Sequence, residues 1–170
     1  DQSLDITPDD NLIASTYGKH LPDGRVFHLG YEGAIQTQDI SPDGTRAVIG
    51  RENGQIMILD PREPGVRDFS PVVLHTHSRP VTAVAFSRNG QTIATADNLG
   101  TVSLWDAHSG QLMIDHLECE FKREALIEFE HLAIEFTPDD SALICGGAYV
   151  TEVPIPDRKG LIWAWYAPRD

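Results

Sequence analysis

The sequence predicts an all-β protein built from about four similar antiparallel units. The first observation is a turn tetrapeptide that occurs four times, at Thr7–Asp10, Ser41–Gly44, Ser87–Gly90 and Thr137–Asp140. The second is that short stretches with apolar residues two apart flank each copy, which is the period of a half-buried strand. Because self-similarity at intervals of a few tens of residues is typical of stacked units, the copies predict a repeat architecture.

Each tetrapeptide predicts a tight turn that joins the first two strands of a unit. Proline presets φ at the second position, an aspartate side chain bonds to nearby backbone, and glycine adopts positive φ at little cost. A third strand follows in every unit, at residues 25–29, 55–59, 101–105 and 161–165. The pattern therefore predicts hairpins that are each extended by further strands.

The chain is interpreted as one domain, 1–170, with repeats at about 1–33, 34–75, 76–130 and 131–170. The strands of a unit are named a to d in chain order. The third unit is the most regular, with strands predicted near 81–86, 92–96, 101–105 and 111–114. The first unit is predicted to have three strands, because only six positions separate Leu29 from Ile35 in the next unit.

The third unit carries the full pattern of a known repeat. Val81–Gly90 reads VTAVAFSRNG, residues 92–96 read TIATA, and residues 100–106 read GTVSLWD. This unit resembles a repeat of the WD-repeat β-propeller family, and the other units match it in outline except at 115–130. The resemblance implies a β-propeller segment of about four antiparallel blades, which is incomplete or part of a larger ring.

The resemblance also implies a polar network inside the third unit. In that family a Trp, a Ser or Thr, a buried Asp and a His form a hydrogen-bonded set. Trp105, Thr95 and His77 match three of these positions, but the position of the Asp is Leu99. The candidates to replace it are Asp97 and Asn98, and the alternative is a unit held by packing alone.

The other units match the family less well at the tryptophan position. That position is Trp165 in the fourth unit but Leu29 and Leu59 in the first two. Two units therefore lack the indole. The residues expected in structural roles are His77, Thr95, Asp97, Trp105 and Trp165.

The charge balance argues against two classes of partner. The chain has 26 acidic and 13 Lys and Arg residues, so its formal net charge is −13. Binding to nucleic acid or to anionic lipid depends on Lys and Arg, so neither nucleic acid nor a membrane is an expected partner. No apolar run approaches the roughly 18 residues of a spanning helix, so we expect a soluble chain. The sequence does not assign its compartment, and the cytoplasm is only weakly favoured. The two cysteines, Cys119 and Cys145, are expected to be unpaired thiols, with a bond between them as the alternative.

Strand parity places the irregular loops at one edge of the units. In an antiparallel unit the a–b turns lie at one edge, and the b–c and d–a connections lie at the other. The a–b turns are short and uniform, whereas the b–c loops 17–24 and 147–160 and the d–a segment 115–130 are long. Because binding residues are often carried by loops on a rigid scaffold, this edge is the predicted binding face. Its candidate residues are Tyr17, His20, Phe121, Arg123, Tyr149 and Ile155.

Two of these insertions have a distinctive composition. The insertion 115–130 combines six acidic residues with apolar ones, and the loop 147–160 is apolar enough to pack on a neighbouring blade or on a partner. One interpretation of the insertion is a solvated segment that covers the blade beneath it. The sharper alternative is a site for a basic peptide.

Motifs of catalysis and metal binding are missing from the sequence. There is no nucleophile elbow, no phosphate-binding glycine loop and no His-Glu-x-x-His motif. His75 and His77 are too few for a zinc site. No catalytic residue, metal or cofactor is therefore predicted.

The resemblance and the missing motifs favour a non-catalytic scaffold or sensor module that binds a protein or peptide through the b–c and d–a loops. The alternative is a propeller enzyme with its site at the central channel. The candidate channel residues, Gln36, Gln38, Thr82 and Ala85, do not form a catalytic set.

The number of units raises the question of how the ring closes. Propellers typically close with four to eight blades. Four blades in an open arc would expose apolar flanks. We expect either a piece of a larger propeller or half of a ring made with a second copy, and the partners considered therefore include further blades of a parent protein.

Overall fold

The structure is a computed structural model. It describes residues 5–6, 12–13, 28–29, 35–59, 72–74, 77–117, 129–151 and 157–166. Every regular element in these ranges is a β-strand, and all the pairings are antiparallel. The predicted all-β fold class is confirmed.

The strands form four sheets in which chain neighbours pair. The first sheet contains β1 (Asp5–Ile6), β2 (Leu12–Ile13) and β3 (His28–Leu29). The second contains β4 (Ile35–Ile40), β5 (Ala47–Arg51), β6 (Ile56–Leu59) and β7 (Val72–Val73). The third contains β8 (Val81–Phe86), β9 (Thr92–Asp97), β10 (Val102–Asp106) and β11 (Leu112–Leu117). The fourth contains β12 (Phe129–Phe136), β13 (Ala142–Thr151) and β14 (Asp157–Tyr166).

The third sheet matches its predicted strands closely. Its strands begin within a residue of the predicted positions, and its last strand runs three residues further, to Leu117. The first sheet shows three strands, as expected. Residues 30–34 lie outside the described residues, so the absence of a fourth strand there stays a prediction.

The structure corrects the predicted loop at 147–160. β13 and β14 continue through this region as one long hairpin, with register pairs that reach Thr151 and Asp157. Tyr149 is therefore a strand residue, paired with Lys159 on one side and Phe129 on the other. The physical reason is that β-branched and aromatic residues continue past Gly147, and ladder pairing satisfies their backbone groups better than a long loop does.

The insertion predicted at 115–130 is also shorter than expected. Its first residues belong to β11, which ends at Leu117, and its last belong to β12, which begins at Phe129. Residues 118–128 lie outside the described residues.

The sheets pack face to face through alternate residues of their strands. On the second sheet, Val48, Ile56 and Ile58 face the third sheet and are buried. Their partners on the third sheet are Val84, Phe86, Ile93 and Trp105. Gly50 permits this approach, because a Cβ there would lie 2.5 Å from Cγ1 of Val81.

The third and fourth sheets pair small side chains with large ones. The third sheet contributes the alanines 83, 85, 94 and 96, and all four are buried. The fourth sheet contributes Leu132, Ile134, Leu143 and Cys145. The a strands β4 and β12 both contact β8, so the a strands of three consecutive sheets lie side by side.

Candidate functional site

A buried polar network lies where the second and third sheets meet. Thr95 Oγ1 accepts the indole N–H of Trp105 at 2.9 Å and lies 2.8 Å from Nε2 of His77. Nδ1 of His77 lies 3.7 Å from a carboxylate oxygen of Asp97. All three polar groups are satisfied if the Thr95 hydroxyl donates to Nε2 and the ring proton at Nδ1 faces Asp97.

Asp97 takes the place of the carboxylate that the sequence lacks at Leu99. Its Oδ1 accepts the backbone N–H of Leu99 at 3.0 Å and that of Thr101 at 2.8 Å. Burial opposes ionisation, but the nearby ring of His77 and the backbone N–H groups of Thr101 and Leu99 outweigh burial and hold the pKa of Asp97 below its ordinary value. The four side chains expected in the third unit thus meet in one network.

The equivalent positions in the neighbouring sheets carry other side chains. The register places Ile49 of the second sheet and Cys145 of the fourth at the position of Thr95. Cys145 is fully buried. Trp165 belongs to an aromatic cluster of the fourth sheet, with its ring centroid 5.9 Å from that of Trp163.

Polar side chains also connect the a–b turns of neighbouring sheets. The carboxylate of Asp140 accepts the backbone N–H groups of Arg88 at 2.6 Å and Asn89 at 2.8 Å. Asp140 has a φ of 56°, whereas the equivalent residues Gly44 and Gly90 each have a φ of 70°. A non-glycine residue therefore takes up a left-handed conformation where its carboxylate reaches the turn of the preceding sheet.

The second and third sheets are joined at the same edge. Oδ2 of Asp39 accepts the backbone N–H of Phe86 at 2.8 Å. The guanidinium of Arg46 donates to the carbonyls of Ala107 and Gly90 and lies over the ring of Phe86. Sequence reasoning missed these residues, because a single unit gives no signal of contacts between units.

Carboxylates inside the turns remain ionised. The hydroxyl of Ser41 donates to Asp43 at 2.6 Å, and this bond leads the contacts that lower the pKa of Asp43. Hydrogen bonds from Thr137 and then from Ser141 lower the pKa of Asp139 to about 2. Both turns therefore carry a full negative charge at neutral pH.

A groove of about 760 Å³ opens at this edge, between the a strands of the second, third and fourth sheets. We call it the turn-edge groove. Its polar lining includes Asp39, Arg88 and Glu135, and its apolar lining includes Phe136 and Ile144. It lies at the edge opposite the predicted binding face.

The structure tests the predicted binding residues only at Tyr149, whose backbone lies in β13. Tyr17, His20, Phe121, Arg123 and Ile155 lie outside the described residues, so their role as a binding face stays a prediction. Within the described ranges, no three His, Cys, Asp or Glu side chains gather to hold a metal ion. None of the elements in those ranges is a helix long and apolar enough to cross a membrane.

Comparison with known proteins identifies the repeat. Residues 70–106, which include most of the third sheet, match the family model of the WD domain, G-beta repeat. The chain forms an open, partial WD-repeat β-propeller. The crystal structure of the RRP9 WD40 repeats resembles this propeller with a TM-score of 0.51 and 17% sequence identity, over 71% of this chain and 36% of that chain.

Two curated WD-repeat relatives show the extent of the match. The chain is 23% identical over 139 residues to the retinoblastoma-binding protein 5 homolog of Drosophila melanogaster, covering 81% of this chain and 26% of that protein. It is 30% identical over 92 residues to the guanine nucleotide-binding protein subunit beta of Arabidopsis thaliana, covering 54% of this chain and 24% of that protein. The chain thus spans about a quarter of the length of either relative. WD-repeat proteins generally act as protein-interaction scaffolds.

Proposed function

We propose that this propeller segment is a non-catalytic scaffold or sensor module that binds a protein or peptide through its b–c and d–a loops. The observation that carries the proposal is the fixed stacking of the second, third and fourth sheets, whose facing side chains are buried. A rigid stack holds loops at a constant position, which lowers the entropic cost of binding.

The d–a connection between the third and fourth sheets is the central element of this proposal. It leaves β11 at Leu117 and enters β12 at Phe129. Phe129 is buried and donates its backbone N–H to the carbonyl of Asn98, which anchors the end of this connection to the b–c turn of the third sheet. Residues from both kinds of loop therefore meet at this edge.

The test compares two serine substitutions on the full 170-residue chain. The immobilised chain first captures proteins from its source cell, and mass spectrometry identifies them. Calorimetry then measures the affinity of the purified captured protein for the native chain, for Phe121→Ser and for Met113→Ser, which truncates an exposed apolar side chain on the outer strand β11.

We expect Phe121→Ser to weaken binding about tenfold or more and Met113→Ser to change it less than about twofold. Equal effects of the two variants on affinity would show that the loops are not the binding face. Turnover of a captured small molecule, with no protein bound, would instead favour the propeller enzyme.

A further inference from the structure

The sequence Asn-Gly-Gln occurs at two turns that the fold surrounds differently. One copy begins at Asn53, in the b–c turn of the second sheet, and the other begins at Asn89, in the a–b turn of the third sheet. Both asparagines are exposed. Asparagine is a thermolabile residue, and a following glycine has no Cβ to obstruct attack of its backbone nitrogen on the asparagine side chain.

The reaction open to such a pair is deamidation. The backbone nitrogen of the glycine gives up its proton and forms a bond to Cγ of the asparagine. The side-chain nitrogen takes up a proton and leaves as ammonia, so that a cyclic succinimide remains. Water then opens the ring at one of its carbonyls and gives aspartate or isoaspartate, both of which carry a carboxylate. Water is the only co-reactant.

The surroundings of Gly54 oppose ring closure at Asn53. Gly54 is buried, and a Cβ there would lie 2.1 Å from the carbonyl oxygen of His77 and 2.9 Å from that of Arg79. The carbonyl of Gly54 also accepts the backbone N–H of His77 at 3.0 Å. Ring closure has to rotate the peptide group between Asn53 and Gly54, and this close packing resists the rotation.

Gly90 lies in a more open place at the other edge. It is half-buried, and a Cβ there would meet only Cδ of Pro42, at 3.6 Å. Its N–H donates to the carbonyl of Ser87 at 2.9 Å, and its carbonyl accepts the guanidinium of Arg46 at 3.2 Å. An exposed turn held by such bonds opens locally without displacing a strand.

The side-chain oxygen of Asn89 is also the better prepared for attack on Cγ. It accepts the hydroxyl of Ser87 at 2.8 Å and the backbone N–H of Gln91 at 2.9 Å. Attack places negative charge on this oxygen, and donors that already point at it stabilise that charge. Within the part of the chain that the structure describes, Oδ1 of Asn53 accepts a single N–H, that of Gln55, at 3.1 Å.

The turn around Asn89 also suits an aspartate. The equivalent residues of the second and fourth sheets are Asp43 and Asp139. Each accepts the hydroxyl of the first turn residue and the backbone N–H two residues further on. The side chain of Asn89 is held by the same two kinds of donor. An aspartate at this position would find both donors in place and would make charge-assisted hydrogen bonds with them.

We propose that Asn89 is a deamidation site of the folded chain, which converts spontaneously to a carboxylate while Asn53 is preserved. The fold makes this choice, since the reacting residues and the glutamine that follows are the same at both sites. Conversion to aspartate adds a negative charge to the a–b edge and gives three consecutive sheets the same turn carboxylate.

The test follows both asparagines in one sample of the full chain. The chain is kept at physiological temperature and mildly alkaline pH, and portions taken over time are digested at acidic pH. Mass spectrometry then gives the converted fraction at each asparagine. A parallel sample in guanidinium chloride supplies the unfolded reference. Asn89→Asp and Asn53→Asp supply the authentic product peptides, and the thermal midpoint of Asn89→Asp shows whether the turn accepts the carboxylate.

We expect Asn89 to convert at least about tenfold faster than Asn53 in the folded chain, and the two rates to agree within about twofold in the unfolded chain. Asn89→Asp should unfold at a midpoint close to that of the native chain.

Four results would overturn the proposal. Equal rates in the folded chain would mean that conversion passes through unfolded molecules and that the fold makes no choice. Faster conversion of Asn53 would mean that the packing around Gly54 does not hinder ring closure. An Asn89 that stays intact while the unfolded chain converts would mean that the bonds of the turn protect it. A much lower midpoint of Asn89→Asp would mean that the turn does not accept the carboxylate.

Discussion

Thr95 is the residue on which the polar core of the third sheet depends. Its hydroxyl lies between the indole N–H of Trp105 and a ring nitrogen of His77, and it is fully buried. Removing the hydroxyl leaves the indole N–H of Trp105 and Nε2 of His77 without their partner in a buried site. The cost of such an orphaned group exceeds the net value of the bond itself.

We predict that Thr95→Val lowers the free energy of unfolding by about 2 kcal/mol, because the two shapes are similar and the loss is chiefly of hydrogen bonding. Urea denaturation of the full chain measures the change. Thr92→Val is the control, since Thr92 lies on the same strand and is only half-buried. Equal midpoints for the two variants would show that the network contributes nothing to stability.

Asp97 makes the stability of this network depend on pH. Its pKa is lowered in the folded chain, so the folded state binds a proton more weakly than the unfolded state does. The resulting stabilisation is fully present above the unfolded pKa of about 4 and is lost as the pH falls through the folded value. Near neutral pH the carboxylate is therefore a source of stability.

We predict that Asp97→Asn is less stable than the native chain at about pH 7 and that the difference shrinks at about pH 3. Urea midpoints at the two pH values test this. Glu52→Asn, which changes an exposed carboxylate, should show no comparable change. A difference that stays constant with pH would mean that the charge of Asp97 is not what the network uses.

At the scale of elements, the a–b turns do more than reverse the chain. Asp140 holds a left-handed φ and its carboxylate accepts two N–H groups of the preceding sheet's turn. The strain of that φ is about 1 kcal/mol for a residue with a Cβ. The two hydrogen bonds to a carboxylate have to exceed this cost for Asp140 to stabilise the fold.

We predict that Asp140→Gly lowers stability by about 1 kcal/mol although it relieves the strained φ, because both hydrogen bonds between the turns are lost. Thermal unfolding compares this variant with Asp140→Asn, which keeps an acceptor and tolerates the left-handed region. The midpoint of Asp140→Asn should lie between those of the native chain and Asp140→Gly. A glycine variant more stable than the native chain would mean that strain outweighs the bonds.

The elements also mark what sequence reasoning could and could not predict. The tetrapeptide turns and the alternation in Val81–Phe86 predicted the third sheet because both signals are local. The long hairpin through Tyr149 was missed because its length is decided by pairing between β13 and β14 rather than by composition. The turn-edge groove was missed because it forms only when the a strands of three separate units lie side by side.

At the scale of the whole molecule, the stacked sheets present two different edges. The b–c and d–a connections lie at one edge, and the turn-edge groove opens at the other. The resemblance to WD repeats predicted this stacking. A single four-stranded unit cannot bury the apolar side chains of its two faces, so each unit has to pack against its neighbours. The sequence alone could not decide that Asp97 supplies the carboxylate expected at position 99. The structure decides it, because the turn after β9 folds back so that the Asp97 carboxylate accepts the backbone N–H groups of Leu99 and Thr101.

The outer face of the fourth sheet differs from the equivalent faces inside the stack. The register places Ile162 at the position of Ile56 in the second sheet and Val102 in the third. The latter two are fully buried by the next sheet, whereas Ile162 is 83% exposed and Tyr166 is 75% exposed. This face therefore has the composition of an interface without the sheet that covers its equivalents.

We predict that the 170-residue chain associates with itself through this face and that Ile162→Thr reduces the association. The driving force is burial of apolar area at about 25 cal/mol per Å². Light scattering over a range of protein concentrations measures the mass of the particles. Met113→Thr, which changes an apolar side chain of 56% exposure on β11, is the control and should leave the association unchanged. A native chain that stays monomeric at all concentrations would contradict the prediction, because this fold would then tolerate the exposed face. Equal effects of the two variants would also contradict it, because the association would then not depend on Ile162.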